Sequence, residues 1–329
     1  MPVVHVVVLA GGVGGARFLS GLRAAVGGAD RITAIVNTGD DLTLHGLRVC
    51  PDLDTVMYTL GGGIDSERGW GRAEETWTVK DELAAYDAEP AWFGLGDRDL
   101  ATHLIRTRML DAGFALSSVT EALCTRWQPG ITLLPMSDER VETHVVVDTG
   151  EGVRALHFQE WWVRHRAALT PREFVQVGVA DARPAAGVLD ALADADTLLL
   201  APSNPVVSIG TILGVPGLRE AVRECQAPVV GLSPIIAGAP VRGMADKCLP
   251  AVGVPTSAEG VGQHYGARNS AGSRTGDGVL DGWLVHNGDR AEIPGVRVRA
   301  VPLLMTDAGT TAAMAAAALA LAEECRRSA

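Results

Sequence analysis

The sequence predicts an α/β fold on a parallel sheet, with a small β-rich segment inserted into it. Three observations carry this expectation. The chain opens as a βαβ unit, and later apolar runs each end in polar loops. Between the two halves, consecutive strands follow each other too closely for a crossover helix to fit.

Residues 5–9 are a β-branched run that stops at glycines, and the stretch 14–26 places Phe18, Leu19 and Leu22 at helical spacing. A second strand, 32–36, follows at once and ends in Asn37, Thr38, Gly39, Asp40 and Asp41. Loops at the carboxyl ends of such strands are where open α/β sheets bind ligands. A short helix is expected over 55–60, and an amphipathic helix after Asp99 with Leu100, Leu104 and Ile105 on its apolar face.

Strands are expected at 131–136, 141–147 and 154–158, and their short connections imply antiparallel pairing. Residues 131–183 therefore read as a small inserted subdomain within a core of 1–130 and 184–329. Phe158, Trp161 and Trp162 are expected to pack it. Beyond it, 197–201 runs into Pro202-Ser203-Asn204-Pro205, 228–232 into Ser233-Pro234, and 296–305 into Thr306-Asp307. The last helix takes Thr306 or Asp307 as its cap and carries Arg326 and Arg327 at the end its dipole favours. The stretch GARNSAGSRTGDGV, 266–279, is expected to be a mobile loop.

Composition narrows the function. With 47% hydrophobic and 20% charged residues over 329 positions, the chain is a folded globular protein. Its 28 basic against 39 acidic residues leave −11, which disfavours nucleic acid as a partner. The 5 cysteines never form C-x-x-C, so neither a disulfide framework nor a zinc knuckle is indicated; they read as reduced, mostly buried thiols. The opening MPVVHVVVLAGG lacks a basic n-region, and neither it nor 312–322 is long enough to cross a bilayer. No membrane partner and a cytoplasmic location are expected.

Four loops carry candidate chemistry. Gly12, Val13, Gly14 and Gly15, followed by Arg17, form a glycine loop whose amides can approach a phosphate at a helix start. The competing reading is a tight turn for helix packing. No G-K-[ST] follows, and the third glycine of G-x-G-x-x-G falls on Arg17. The second strand ends in Asn37-Thr38 rather than in the acidic residue that holds an adenosine ribose, so an NAD enzyme of that type is disfavoured.

Asp40-Asp41, with Asp52 and Asp54 in PDLDT, supply the carboxylates that Mg²⁺ needs beside phosphate oxygens, although one of the latter pair can instead cap the helix. Asp54, nearest the apolar helix body, is the first choice. Asp97, Arg98 and Asp99 can orient a polyhydroxylated substrate, or an aspartate there can be a cap. The Ser203-Asn204 and Ser233 loops offer hydroxyls and amides suited to a nucleobase, ribose or phosphate. Histidines at 5, 45, 103 and 144 have no zinc-site spacing, and there is no G-x-S-x-G elbow.

Taken together, AGGVGGARFLSGL, VNTGDD, PDLDTVMYTLGGGID, GLGDRDLATH, LLPMSD, HFQEWW, LLAPSNPVVSIGTIL, SPIIAGAPVRGMA and LLMTD resemble the CofD/FbiA family, in the same order over almost the whole chain. That family comprises the 2-phospho-L-lactate and phosphoenolpyruvate transferases of coenzyme F-420 biosynthesis. The resemblance implies a Rossmann-like sheet with helices on both faces, a smaller lobe, Mg²⁺ dependence and a homodimer. It also implies a guanosine-diphospho donor and the deazaflavin acceptor 7,8-didemethyl-8-hydroxy-5-deazariboflavin (Fo).

In the implied reaction the terminal ribityl hydroxyl of Fo attacks the phosphorus bearing the three-carbon acid, and GMP leaves. Asp54 matches the family's acceptor-binding, metal-associated aspartate, and Asp40 joins it as a catalytic and metal residue. HFQEWW and CPDLDT are most similar to the actinobacterial FbiA branch, which implies the enolpyruvyl donor and the product dehydro-F-420-0; the lactyl donor stays open. Two rivals remain: a nucleotide-linked oxidoreductase and a non-catalytic nucleotide-binding regulator.

Overall fold

The computed structural model describes residues 4–28, 30–268 and 278–327. Strand β1 (His5–Ala10) is buried throughout: Val6, Val8 and Ala10 enter one core and Val7 and Leu9 the other, as expected of a strand covered on both faces. Helix α1 (Gly12–Ala25) leads to β2 (Arg31–Val36), which pairs parallel with β1. A hairpin of β3 (Leu42–Leu44) and β4 (Leu47–Val49) follows, then α2 (Pro51–Leu60), α3 (Thr78–Ala85), α4 (Asp99–Asp111) and α5 (Leu116–Trp127), before β5 (Thr132–Pro135). Strands β6 (Glu142–Asp148), β7 (Val153–His157) and β8 (Pro171–Val177) form a separate antiparallel sheet in the order β7-β6-β8.

The second half alternates again. It contains α6 (Val188–Ala193), β9 (Thr197–Leu200), α7 (Ile209–Gly214), α8 (Leu218–Glu224) and β10 (Val229–Leu232). After the short pair β11 (Ile235–Ile236) and β12 (Ala239–Pro240) come α9 (Ala245–Ala251), α10 (Ala258–Tyr265), β13 (Gly282–His286), β14 (Arg297–Val301) and α11 (Ala308–Arg326). Among the described residues the main sheet has 7 strands in the order β14-β13-β10-β9-β1-β2-β5, and every neighbouring pair is parallel. Residues from α1, α2, α5 and α11 fill the core on one face, and residues from α6 to α10 fill the other. This is the doubly wound arrangement of a Rossmann-like fold, with the order reversing between β1 and β9, where such sheets open a ligand crevice.

Three expectations are corrected. The strand at 131–136 is not part of the antiparallel insert, because β5 pairs parallel with β2 at the edge of the main sheet. The deciding connection lies upstream: α2 to α5 carry the chain back to the start of the sheet, while the short loop after β5 leads out of it. Helix α2 begins at Pro51, not at residue 55, with proline in its first turn, so Asp52 and Asp54 are inside the helix. Finally, α4 is turned over. Thr102, His103 and Arg106 are its buried residues, whereas Leu104 and Ile105 are 55% and 42% exposed. Leu100 and Leu104 instead line an apolar groove with Leu83 and Phe93.

Other expectations are met. Asp307 accepts from the backbone of Thr310 at 2.8 Å while the Thr310 hydroxyl accepts from the Asp307 amide, a reciprocal cap for α11. Phe158 and Trp161 are buried in the insert, and Trp161 donates to the Leu169 carbonyl at 2.7 Å; Trp162 is 40% exposed. The 5 cysteines are free as expected, but fewer are buried than expected: Cys50 and Cys248 are, and Cys124, Cys225 and Cys325 are half-buried. Of the loop expected over 266–279, residues 269–277 lie outside the described residues.

Candidate active site

The loops that follow β1 and β9 meet where the strand order reverses. The Gly11 amide donates to the Ser203 hydroxyl oxygen at 3.0 Å, and that hydroxyl donates to the Gly11 carbonyl at 2.7 Å. Gly12 opens α1 with φ +61°, a left-handed conformation that glycine adopts freely. A Cβ on Gly14 would stand 2.8 Å from the Pro202 carbonyl oxygen, so the two loops touch through bare backbone. Gly12, Val13, Gly14, Gly15 and Ser203 are thus brought together where the strand order reverses.

Arg17 is exposed on α1 beyond these glycines. Arg242, from PVRGM, is brought near it: burial and then the like charge of Arg17 lower its pKa. Two guanidinium groups set near each other beside a glycine loop favour an anion between them. Asn204 and Ser233 are engaged locally. Asn204 accepts from the amides of Val206 and Val207 at 2.9 and 3.2 Å, and Ser233 closes a turn onto Ile235.

Below the glycine loop lies a buried acid pair. The Asn37 side-chain carbonyl accepts from the Gly39 amide at 2.9 Å, and its Nδ2 donates to Asp52 at 2.9 Å and to Asp40 at 3.3 Å. Both carboxylates are 5% exposed. Burial raises the pKa of Asp40, the Asp52 charge raises it further, and Asn37 works against both. Asp52 is raised for the same first reason, opposed by Asn37 and the Gly12 backbone. Asp52 Oδ2 also lies 2.8 Å from where a Gly11 Cβ would stand, so the pair adjoins the glycine loop. Asp41 points elsewhere: burial pushes it up to about 6 although Arg48 pairs with it at 3.0 Å. The hydroxyls of Thr38, Thr143 and Thr211 have no hydrogen-bond partner among the described residues.

Asp54, one turn into α2, belongs to a different network. Both terminal nitrogens of Arg106 donate to it, Nη1 to Oδ2 at 3.1 Å and Nη2 to Oδ1. Arg106 Nη1 also lies 3.1 Å from His103 Nδ1, and His103 Nε2 lies 3.4 Å from Asp99 Oδ2. Tyr58 donates to Asp99 Oδ1 at 2.6 Å. Burial opposes ionisation of Asp99, yet the His103 and Tyr58 contacts hold it below the usual carboxylate range. A guanidinium only donates, so His103 Nδ1 is the acceptor and the ring proton sits on Nε2. Sequence reasoning missed His103 and Arg106. The available signal was their spacing: Asp99, His103 and Arg106 fall at i, i+4 and i+7, one face of a helix.

The Asp97-Arg98 loop lies apart from the acid pair. Asp97 accepts from the Thr76 hydroxyl at 2.7 Å and from the Val79 and Thr78 amides at 2.9 and 3.0 Å; led by the Thr76 bond, these hold it at about 2 and cap the start of α3. Arg98 pairs with Glu74 at 3.0 Å and lines a cavity of about 480 Å³ with Arg72, Arg126, Trp127 and the glycines at 61–63. The insert presses on the site as well. Thr143 donates its amide to the Gly39 carbonyl at 2.6 Å, and His157 Nε2 donates to the Asp41 carbonyl at 3.1 Å.

A family model described as 2-phospho-L-lactate transferase CofD matches residues 6–302. The chain belongs to the CofD family. It is 62% identical over 321 residues to a phosphoenolpyruvate transferase of Nocardia farcinica, covering 97% of this chain and 95% of that one. A phosphoenolpyruvate transferase of Kitasatospora aureofaciens is 62% identical over 327 residues, covering 98% and 99% of the two chains. Among solved structures, protein BH3568 of Bacillus halodurans superposes with a TM-score of 0.63 at 18% identity, over 97% of this CofD-family chain and all of the other, a likeness of fold. No helix among the described residues is long and apolar enough to cross a membrane.

Proposed function

We propose that this CofD-family chain transfers the phosphoenolpyruvate group of a guanosine-diphospho donor to the terminal ribityl hydroxyl of Fo, releasing GMP and forming dehydro-F-420-0. The observation that supports it most is the contiguity of Gly11, Asp52 and Asp40 at the switch point, with Asp54 two residues after Asp52 on the same helix. Phosphoryl transfer asks chiefly for positioning and for charge neutralisation. The names of the relatives favour the enolpyruvyl over the lactyl donor.

Each residue set has a role in this reading. The amides of the glycine loop, with Arg17 and Arg242, take the diphosphate, and the Ser203-Asn204 loop walls the nucleotide half. Asp54 faces the attacking hydroxyl, its carboxylate held in place by Arg106. Asp40 and Asp52 fit Mg²⁺, since two buried carboxylates that share one amide donor call for a cation, and a nearby Thr38 hydroxyl lacks a partner. When bound there, the ion neutralises phosphoryl oxygens. Asp54, with both oxygens already engaged by Arg106, is better suited to the acceptor than to the metal.

Transfer is direct in this reading. Burial raises the pKa of the Cys50 thiol and pushes Cys124 and Cys248 up to about 12, which leaves none of them a ready nucleophile. A cytoplasmic homodimer completes the proposal. Titrating Fo, guanine nucleotides and NAD, with and without Mg²⁺, tests it. Mg²⁺-dependent binding of the guanine nucleotide together with Fo supports the transferase; tight NAD binding, or nucleotide binding without Fo, favours a rival.

A further inference from the structure

We propose that Arg106 is a positioning residue for the transfer, fixing the Asp54 carboxylate through a buried chain that continues over His103 and Asp99 to Tyr58; this rests on the role given to Asp54 above. The geometry is specific. A bidentate guanidinium fixes the plane of a carboxylate as well as its charge, which a lysine ammonium does not. One lone pair on each Asp54 oxygen is taken by Arg106 Nη1 and Nη2, leaving the other for a hydroxyl proton.

Arg106 is itself held. It is 1% exposed, its Nη1 reaches the Arg48 carbonyl at 3.4 Å, and the same nitrogen lies on His103 Nδ1. His103, also 1% exposed, keeps its Nε2 within 3.4 Å of Asp99 Oδ2, close without forming a hydrogen bond, and Asp99 accepts from the Tyr58 hydroxyl. The chain therefore runs from α2 to α4 and back to α2, closing on two residues, Tyr58 and Asp54, one turn apart on the same helix. Packing alone does not require this. A buried ion pair is often replaceable by apolar side chains at no loss of stability, so a chain of polar contacts converging on a single carboxylate points to orientation of that carboxylate.

The test compares Arg106→Lys, Arg106→Gln and Tyr58→Phe, each alone and combined with Asp54→Asn, by steady-state kinetics with separate donor and Fo titrations. The expected result is a fall in kcat of about tenfold or more for Arg106→Lys, larger for Arg106→Gln and smaller for Tyr58→Phe, with the donor KM within about threefold of the parent. In the Asp54→Asn background the same changes should cost little further, since their effect runs through the lost carboxylate. Tyr58→Phe keeps the ring and its packing, so it decides the matter if the Arg106 variants do not fold. Unchanged kcat in Tyr58→Phe, or losses that multiply in full with Asp54→Asn, would overturn the proposal. Full activity in Asp54→Asn alone would instead overturn the reading of Asp54.

Discussion

Ser203 and Gly11 hold each other by two hydrogen bonds, 2.7 Å to the Gly11 carbonyl and 3.0 Å from its amide, and so tie the loop after β9 to the loop after β1. The tie sits where the sheet reverses direction, and one turn of α1 rests on it. A side chain added at Gly14 must displace the Pro202 backbone, and one at Gly11 or Gly15 meets the side chains of Ser208, Asp52 or Ser203.

Gly14→Val follows from that contact. A Cβ would lie 2.8 Å from the Pro202 carbonyl oxygen, so the substitution parts the two loops to which the proposal assigns the donor. The apparent KM for the guanosine donor should rise about tenfold or more while the KM for Fo stays within about threefold. Equal effects on the two substrates would show that the loop only packs the helix.

Asp54→Asn should lower turnover by on the order of 10²-fold or more, the usual contribution of a charge-positioning or acid–base group. Its fold should survive by circular dichroism, because asparagine keeps one acceptor for Arg106. Near-normal turnover at saturating Mg²⁺ and Fo counts against the assignment.

Metal binding should be visible in stability. Asp40 and Asp52 have raised pKa values in the fold against 3.8 for an ordinary aspartate, chiefly through burial. The folded state thus keeps protons that the unfolded chain has lost, and metal-free stability declines as pH rises above 3.8 and through the raised values. If Mg²⁺ binds the ionised pair as proposed, it should raise Tm more at about pH 7.5 than at about pH 5. Asp40→Asn should remove most of that difference. An equal Mg²⁺ effect at both pH values, or one unaltered in Asp40→Asn, would argue for a different metal site.

Much of this was legible in the sequence. Strand runs ending at Gly11, Asn37 and Pro202 placed three site loops at one sheet edge, because apolar runs and glycine turns are local signals. What escaped depended on contacts distant in sequence. The place of β5 is set by β2, almost 100 residues upstream, and not by its short loop to β6. Periodicity in α4 marked Leu104 and Ile105 as core, yet the buried face is the polar one, since Asp54 and Tyr58 on α2 supply partners for Arg106 and Asp99. Asp97 offered two readings, and a cap on a helix starting 19 residues earlier is invisible to local pattern.

Direct displacement carries a stereochemical signature. With no covalent intermediate, the configuration at the transferred phosphorus should invert, as followed by NMR from a chirally labelled donor into product. Retention, or a phospho-adduct trapped on the protein when Fo is withheld, would require a double displacement.

The most direct measurement of the central claim is the product itself. The purified chain is incubated with the enolpyruvyl guanosine-diphospho donor, Fo and Mg²⁺, and the mixture is resolved by liquid chromatography and mass spectrometry. The account predicts one GMP for each Fo consumed and a deazaflavin product whose mass equals Fo plus phosphoenolpyruvate less one water. Unchanged Fo, or donor breakdown that releases GMP without joining the two substrates, would contradict it.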